Sequence, residues 1–404
     1  MEIIIYLLTT ILIIFLFIIF TIKMNNPFWS LMPVYHSYDY WRYLYRNNFI
    51  FNEIPRNRYF DLLQIETIEF NELSQENIEK IVRLLQNHFL GNDNLLYTIE
   101  KTKLLNSING CNSESMISLY KKQKYDVIDS EIKIINSKDI DAFIISKRID
   151  LCIFNNYKYH NYDCFTMEHL CSHRDETNGN LKRKLLFTHL HNCLNNKPIN
   201  AFIFKKEYNL FSNVIPLVEY NSYTYNITNT RKYNISGLLD IQKITNINLD
   251  KLIYALNSMK TGSNKIKFDV VIHPNIGNLR ALIDNDIIEI YTLTYKEHIL
   301  AYYVFKNNFI HFEKEDAFNI TLISSINNCP NNELFFNGFY NVFSNILKNF
   351  PNKNILTIEN NSHNSTLINN LNIYYSPISI HKVAYYSINL FVANSPISSC
   401  FSIY

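Results

Sequence analysis

Residues Phe165–Leu186 read FTMEHLCSHRDETNGNLKRKLL. Phe165 to Cys171 is an apolar run of strand length. A polar turn with one glycine, Gly179, follows, and Leu181 to Leu194 places apolar residues at helical spacing. A strand–turn–helix presents unsatisfied backbone N–H groups at the helix N-terminus, where the amides and the helix dipole both favour an anion such as phosphate. Many folds contain this unit, so the stretch sets an architecture and leaves its ligand open.

Strand-like runs precede it at Lys124–Ile128, Glu131–Ile135, Ala142–Ile145 and Leu151–Phe154, and Ala201–Lys205 follows it. Antiparallel strands leading into strand–turn–helix–strand predict an α+β fold of the acetyltransferase type. Upstream, Ser74 suits the N-cap of a helix reaching about Phe89, with Ile78, Ile81, Val82 and Leu85 on one face. A polar loop at Leu90–Asn94 and a short helix over Leu95–Leu105, ended by Asn109-Gly110, come next.

The second half repeats this order: a helix at Leu249–Met259; strands at Ile287–Tyr295, Ile299–Lys306 and Ile310–Phe312; a helix at Asn337–Lys348; strands at Ile355–Ile358 and near Val383–Leu390. The halves share element order without sequence identity, which predicts a duplicated fold of two mixed-sheet halves.

Ile3 to Ile22 is an unbroken apolar run, about long enough for one transmembrane helix. It lacks the basic start and small-residue exit of a cleaved signal, so it reads as a retained anchor. Lys23, Arg42 and Arg46 follow it while only Glu2 and the terminal amine precede it, which places the body in the cytosol by the positive-inside rule. The expected divisions are an anchor (3–22), a linker and packing arm (23–60) and two halves (61–235 and 236–404).

Composition narrows the function. The 404 residues carry 38 Lys+Arg against 36 Asp+Glu, a net charge of +2 that gives no nucleic-acid footprint. The tyrosine cluster Tyr220–Tyr233 lacks a basic stripe and reads as packing. Seven cysteines with no C-x-x-C pair argue against a disulfide scaffold and a zinc site and suit a reducing compartment. No histidine spacing predicts a metal; His169 and His173 fall on a strand and its turn. A Cys171–His173 nucleophile pair competes with an inert buried thiol, the reading preferred for a strand cysteine. Lys182-Arg183-Lys184 is either a solvated helix face or a phosphate contact.

Several stretches, in order, resemble the N-myristoyltransferase family. Phe28-Trp29-Ser30-Leu31-Met32-Pro33-Val34 is similar to its FWSTQPV entry, Leu84–Phe89 with Gly91–Asn94 to its helix end and acidic loop, and Leu170-Cys171-Ser172-His173 to its FLCVH strand end. The resemblance implies a duplicated acetyltransferase-like (GNAT) fold with acyl-CoA, myristoyl-CoA in that family, in the first half and an N-terminal glycine peptide bound by the second. It also implies that Pro27, Phe28 and Trp29 contact the CoA, with Cys171 and Ser172 at the strand end. Backbone N–H groups of His169 and Leu170 would polarise the thioester carbonyl. Asn178, Asn180, Leu181 and Lys182 would line the pyrophosphate, with Arg183 and Lys184 as cationic help. The carboxylate of Tyr404 would be the base toward the glycine amine. No metal is implied.

The chain departs from that pattern in the CoA-binding loop and, more heavily, where the peptide binds. The acidic run is reduced to Asp93, the pocket threonine and its following glycine fall on Phe204 and Lys206, and the basic loop positions fall on Thr177, Gly179 and Asn180. A catalytically degenerate, membrane-tethered copy acting as a structural or interaction protein is therefore the alternative expectation. A transferase using a shorter acyl-CoA is a third.

Overall fold

The computed structural model describes residues 2–39, 49–92, 94–111, 115–121, 123–128, 131–136, 139–155, 158–173, 179–227, 237–261, 268–296, 298–349, 352 and 354–404. Thr177, Asn178 and Asp93 lie outside these residues, as do Arg42 and Arg46.

A long apolar helix, α1 (Glu2–Asn25), has no buried residue. At about 1.5 Å per residue it spans roughly 36 Å, long and apolar enough to cross a bilayer. Only Asn26, Pro27 and Phe28 separate it from a short 3-10 turn at Trp29–Leu31. There Phe28 packs edge-on against Tyr59, and Trp29 against Phe204 and Phe211.

The remaining chain is a mixed α+β body. Its first half contains β1 (Ile65–Glu69), α2 (Gln75–His88), β2 (Leu95–Tyr97), α3 (Lys101–Ile108), β3 (Met116–Tyr120) and the hairpin β4 (Gln123–Ile128)–β5 (Glu131–Asn136). Next come the long strands β6 (Ala142–Asn155) and β7 (Lys158–Ser172), then α4 (Asn180–Asn196), β8 (Phe202–Glu207) and β9 (Val218–Asn226). The second half holds β10 (Leu239–Lys243), α5 (Leu249–Thr261), β11 (Val270–Pro274), α6 (Ile276–Asp284) and the meander β12 (Ile288–Tyr295), β13 (His298–Phe312), β14 (Ala317–Asn327). It ends with α7 (Asn332–Asn349), β15 (Ile355–Glu359), α8 (Asn364–Tyr374), β16 (Ser379–Ile388) and β17 (Cys400–Ser402).

One sheet runs in the order β1-β3-β6-β7-β8-β16-β9-β15-β14-β13-β12-β10, with β11 and β17 beside β6 and β2 beside β13. Two β-α-β units of the same kind stand out: β7-α4-β8 and β14-α7-β15, each with its two strands parallel. Between them the chain exchanges strands. β9 leaves the first unit to pair with β15, and β16 returns to pair with both β8 and β9.

Helices cover both faces. The apolar stripe of α2, capped by the Ser74 side chain on Asn77 N–H, packs with α3 on one face of β3, β6 and β7. On the other face α4 buries Leu185, Leu190 and Cys193. The same arrangement recurs in the second half with α5 and α6 on one cluster and α7 and α8 on another.

Three expectations change. Ala142–Ile145 and Leu151–Phe154 belong to one strand, because the ladder with β7 runs through the polar step Ser146–Asp150. Leu95–Leu105 is not one helix: Leu95–Tyr97 adds an edge strand to β13, and helix begins only at Lys101. Ile299–Lys306 and Ile310–Phe312 likewise merge into β13, which bends at irregularities instead of stopping.

Candidate active site

β7 and β8 are paired only at Phe165↔Phe202 and Thr166↔Ile203, while on its other edge β8 is paired with β16 from Phe202 to Glu207. The two parallel strands therefore diverge toward their carboxyl ends. Just past the parting, the β6–β7 ladder jumps from Ile145↔His169 to Ser146↔Met167, leaving Glu168 as an extra residue, a β-bulge. A bulge interrupts the ladder and re-aims side chains. Here it turns Glu168 and His169 toward a cavity of about 740 Å³, lined also by Tyr97, Lys205, Lys306, Glu359 and Tyr404.

The cavity wall is charged and almost entirely paired. Lys147 of β6, 1% exposed, lies 3.3 Å from Glu168 and donates to Ser107 O. The Tyr404 hydroxyl donates to Glu168 Oε2. Burial alone would raise the Glu168 carboxyl, but Lys147, Lys306, His169 and the Tyr404 hydroxyl outweigh it and bring it down to about 2. Across the cavity Lys205 lies 2.5 Å from Glu359 and 3.1 Å from Glu207, and Tyr220 donates to Glu359. Burial opposes the Lys205 charge, and the two carboxylates raise its pKa in spite of that.

His169 shares a 2.9 Å hydrogen bond between Nε2 and the Tyr97 hydroxyl, and its Nδ1 is buried without a hydrogen-bond partner. Burial pushes it down to about 4, reinforced by Lys306 and Lys147 against Glu168, so the ring is neutral at pH 7.

Tyr404 reaches this place because the end of the sequence is threaded through the sheet. β17 runs parallel to β11, Ile403 N–H bonds Ile272 O, and Tyr404 is 7% exposed. The Tyr404 carbonyl oxygen accepts from the Tyr385 hydroxyl at 2.9 Å and from Ser402 Oγ at 3.4 Å. The ammonium groups of Lys147 and Lys306 stand 5.1 and 5.0 Å from its ring centroid.

The structure thus brings Tyr404 and His169 together on one cavity. Leu170 follows on the bulged strand, half-buried against the α4-side core. Cys171 is buried with its thiol on Leu84 O, and burial raises it to about 12, which leaves it a thiol. Ser172 is buried beside it, while His173 at the strand end is exposed.

Gly179, at φ +55°, turns the chain into α4, whose first residue is Asn180. Leu181 points into the core, and Lys182 and Arg183 are exposed on the first turn. Lys184 is bonded to Asp61 at 2.9 Å. Pro27 is half-buried, Phe28 is core, and Trp29 stacks on Phe204. Phe204 faces this aromatic side of β8, whereas Lys205 and Glu207 face the cavity.

Residues that sequence reasoning passed over carry much of the site: Glu168, Lys147, Lys205, Lys306 and Glu359. Each is a charge on a strand and largely withdrawn from water, a costly placement that calls for a partner.

No protein-family model and no curated protein sequence matches this chain. Its fold does match solved structures. N-Myristoyltransferase of Saccharomyces cerevisiae with bound myristoyl-CoA superposes with a TM-score of 0.66 at 10% identity, over 92% of this chain and 89% of that one. A second structure of the yeast enzyme, with bound myristoyl-CoA and inhibitors, gives 0.66 at 12% identity over 93% and 94%. The chain therefore has an N-myristoyltransferase-like fold.

Proposed function

We propose that this protein is an acyl-CoA-dependent N-acyltransferase held on a membrane by α1, with its body in the cytosol. It transfers a myristoyl group from myristoyl-CoA to the amine of an N-terminal glycine. The observation that carries the reading is the parted β7/β8 pair with a bulge at Glu168, and Tyr404 delivered beside it.

In this reading the parting takes the acyl-CoA. Backbone N–H groups of His169 and Leu170 hold the thioester oxygen as it gains charge. Pro27, Phe28, Trp29, Cys171 and Ser172 flank the acyl-CoA, and Asn178, Asn180, Leu181 and Lys182 receive the pyrophosphate at the start of α4. The acceptor amine loses a proton to the Tyr404 carboxylate and attacks the carbonyl carbon. The C–S bond breaks, and the CoA thiolate leaves and is protonated. No metal takes part.

The test is the full chain in detergent micelles with labelled myristoyl-CoA and glycine peptides. Saturable binding and an amide product support the reading; absence of both removes it.

A second reading rests on the Trp29–Phe204–Tyr386 stack, which gives β8 an aromatic wall in place of the small residues the resemblance leads one to expect. There the fold would serve as a membrane-tethered interaction protein. Unchanged cellular function after loss of Tyr404 would favour it.

A further inference from the structure

Every carboxylate side chain at the centre of the cavity already has a cation. Glu168 has Lys147, and Glu359 and Glu207 share Lys205, with His381 3.7 Å from Glu207. The cation left over away from the exposed rim, where Lys314 stands, is Lys306 of β13. Among the described residues its ammonium makes no ion pair or hydrogen bond, and its near contact is the Tyr404 ring at 5.0 Å. Its charge is already under strain: burial lowers its pKa, Glu168 opposes that, and Lys147 and Lys205 add to it. A half-buried cation without a contacting anion gains from a ligand that brings one.

A second group points the same way. Nδ1 of His169, on the same cavity, is buried and unsatisfied. In the tautomer whose Nε2 accepts from Tyr97, Nδ1 carries a proton to donate. One cation and one neutral donor converge on the space beside Tyr404. At the centre of the cavity, by contrast, Glu168, Glu207 and Glu359 are all paired, and the carboxylate of Glu315 stands on its exposed rim.

We propose that the acceptor carries a carboxylate close to its reacting amine, and that Lys306 is the specificity-determining residue that receives it. This rests on the acyl-transfer reading above. Lys306 contacts the residue whose carboxylate takes the amine proton, so an acceptor two or three residues long, at about 3.5 Å per residue, covers the distance. Free glycine supplies the carboxylate on the reacting residue itself; a peptide supplies it as an acidic residue next to the N-terminal glycine.

The experiment uses the full chain in detergent micelles, labelled myristoyl-CoA, and four acceptors. These are free glycine and three peptides of equal length that begin glycine-aspartate, glycine-asparagine and glycine-lysine. The expected result is a kcat/KM for the aspartate peptide or for free glycine at least tenfold above the asparagine peptide, with the lysine peptide lowest. Which of the two leads identifies the source of the carboxylate.

Lys306→Met should collapse that ratio through KM with little change in kcat, while Lys306→Arg should keep it. A melting curve on each variant separates misfolding from lost recognition. Equal or better turnover of the neutral or lysine acceptors overturns the proposal. So does a ratio that Lys306→Met leaves intact, or label appearing on the protein's own Lys306.

If no acceptor is turned over, the acyl-transfer reading fails, and calorimetry with the aspartate and asparagine peptides decides the remainder. Binding selective for aspartate and lost in Lys306→Met upholds anion recognition by Lys306; no selectivity ends it.

Discussion

The units β7-α4-β8 and β14-α7-β15 are built alike, and each has a bulge on the strand that precedes the helix. In the first the extra residue is Glu168; in the second, between Val304↔Ser324 and Phe305↔Leu322, it is Ile323, 1% exposed. The first pair is joined only at Phe165 and Thr166, the second over Asn319–Leu322. Beyond its bulge the second unit is sealed. Ser325 N–H bonds Ser362 Oγ, Ser325 Oγ bonds Asn364, and Ser324 Oγ bonds Asn361 and accepts from Ser402 N–H. The aromatic face of α7, including Phe335, Phe339 and Phe343, closes it from outside. One scaffold thus yields a site where the parting stays open and a core where short polar side chains fill it.

The largest effect should come from removing what the second unit lacks. Deleting Tyr404 should lower the transfer rate by about 10²–10⁴-fold, the usual worth of a positioned base, with myristoyl-CoA binding retained. Tyr404→Phe keeps the carboxylate and should keep most of the rate; equal damage from both changes would assign the effect to the phenol. The two assays are single-turnover kinetics and calorimetry.

The two bulges should fail for different reasons. Glu168→Gln leaves Lys147 buried without a carboxylate and should cost about 3–5 kcal/mol in urea unfolding. Ile323→Ala opens a cavity and should cost about 2–4 kcal/mol. Added salt should leave the second loss unchanged, and a salt-dependent Ile323→Ala would break the contrast.

Acid should also tell the units apart. The His169 pKa of about 4 lies below the 6.5 of an unfolded histidine, so its contribution is present above pH 6.5 and is lost as pH falls toward 4. The unfolded chain binds the proton first. The loss is about 3 kcal/mol at 1.36 kcal/mol per unit. Glu168, lowered to about 2, extends the decline below the ordinary carboxylate range. His189, pushed to about 3 by burial, adds to it as well. His169→Gln should flatten urea midpoints between pH 6.5 and 4, whereas Ile323→Ala should shift them in parallel.

The smallest effect belongs to the exposed first turn of α4. Lys182→Ala should leave stability within about 0.5 kcal/mol. It should weaken myristoyl-CoA binding only a few-fold, and less so as salt rises. A loss beyond tenfold would give this lysine a direct phosphate bond.

Sequence patterning exposed the scaffold because burial repeats along it. The stripe Ile78, Ile81, Val82, Leu85 and the cap at Ser74 both appear in α2, and FTMEHLC lies within β7. Short edge strands such as Ile65–Glu69 escaped, since half-buried edges carry weak periodicity. The site was legible only in part. Of the residues that line the cavity, Tyr404 and His169 were named through the family resemblance, while the Glu168 bulge has no local signature. The ion pairs join residues as far apart as Lys205 and Glu359, and spacing in sequence is silent about such partners.

The strand exchange between the units has a consequence for assembly. Among the described residues β8 finds its antiparallel neighbour only in β16, and β9 finds its neighbours only in β15 and β16. Pairings of such long sequence separation must close large loops before they stabilise anything, which slows folding. Glu168 meets Tyr404 by the same route, across most of the length of the body. The cavity should therefore be among the last features to form, and unfolding that begins by releasing β16 or β17 should dismantle it before either helical layer melts.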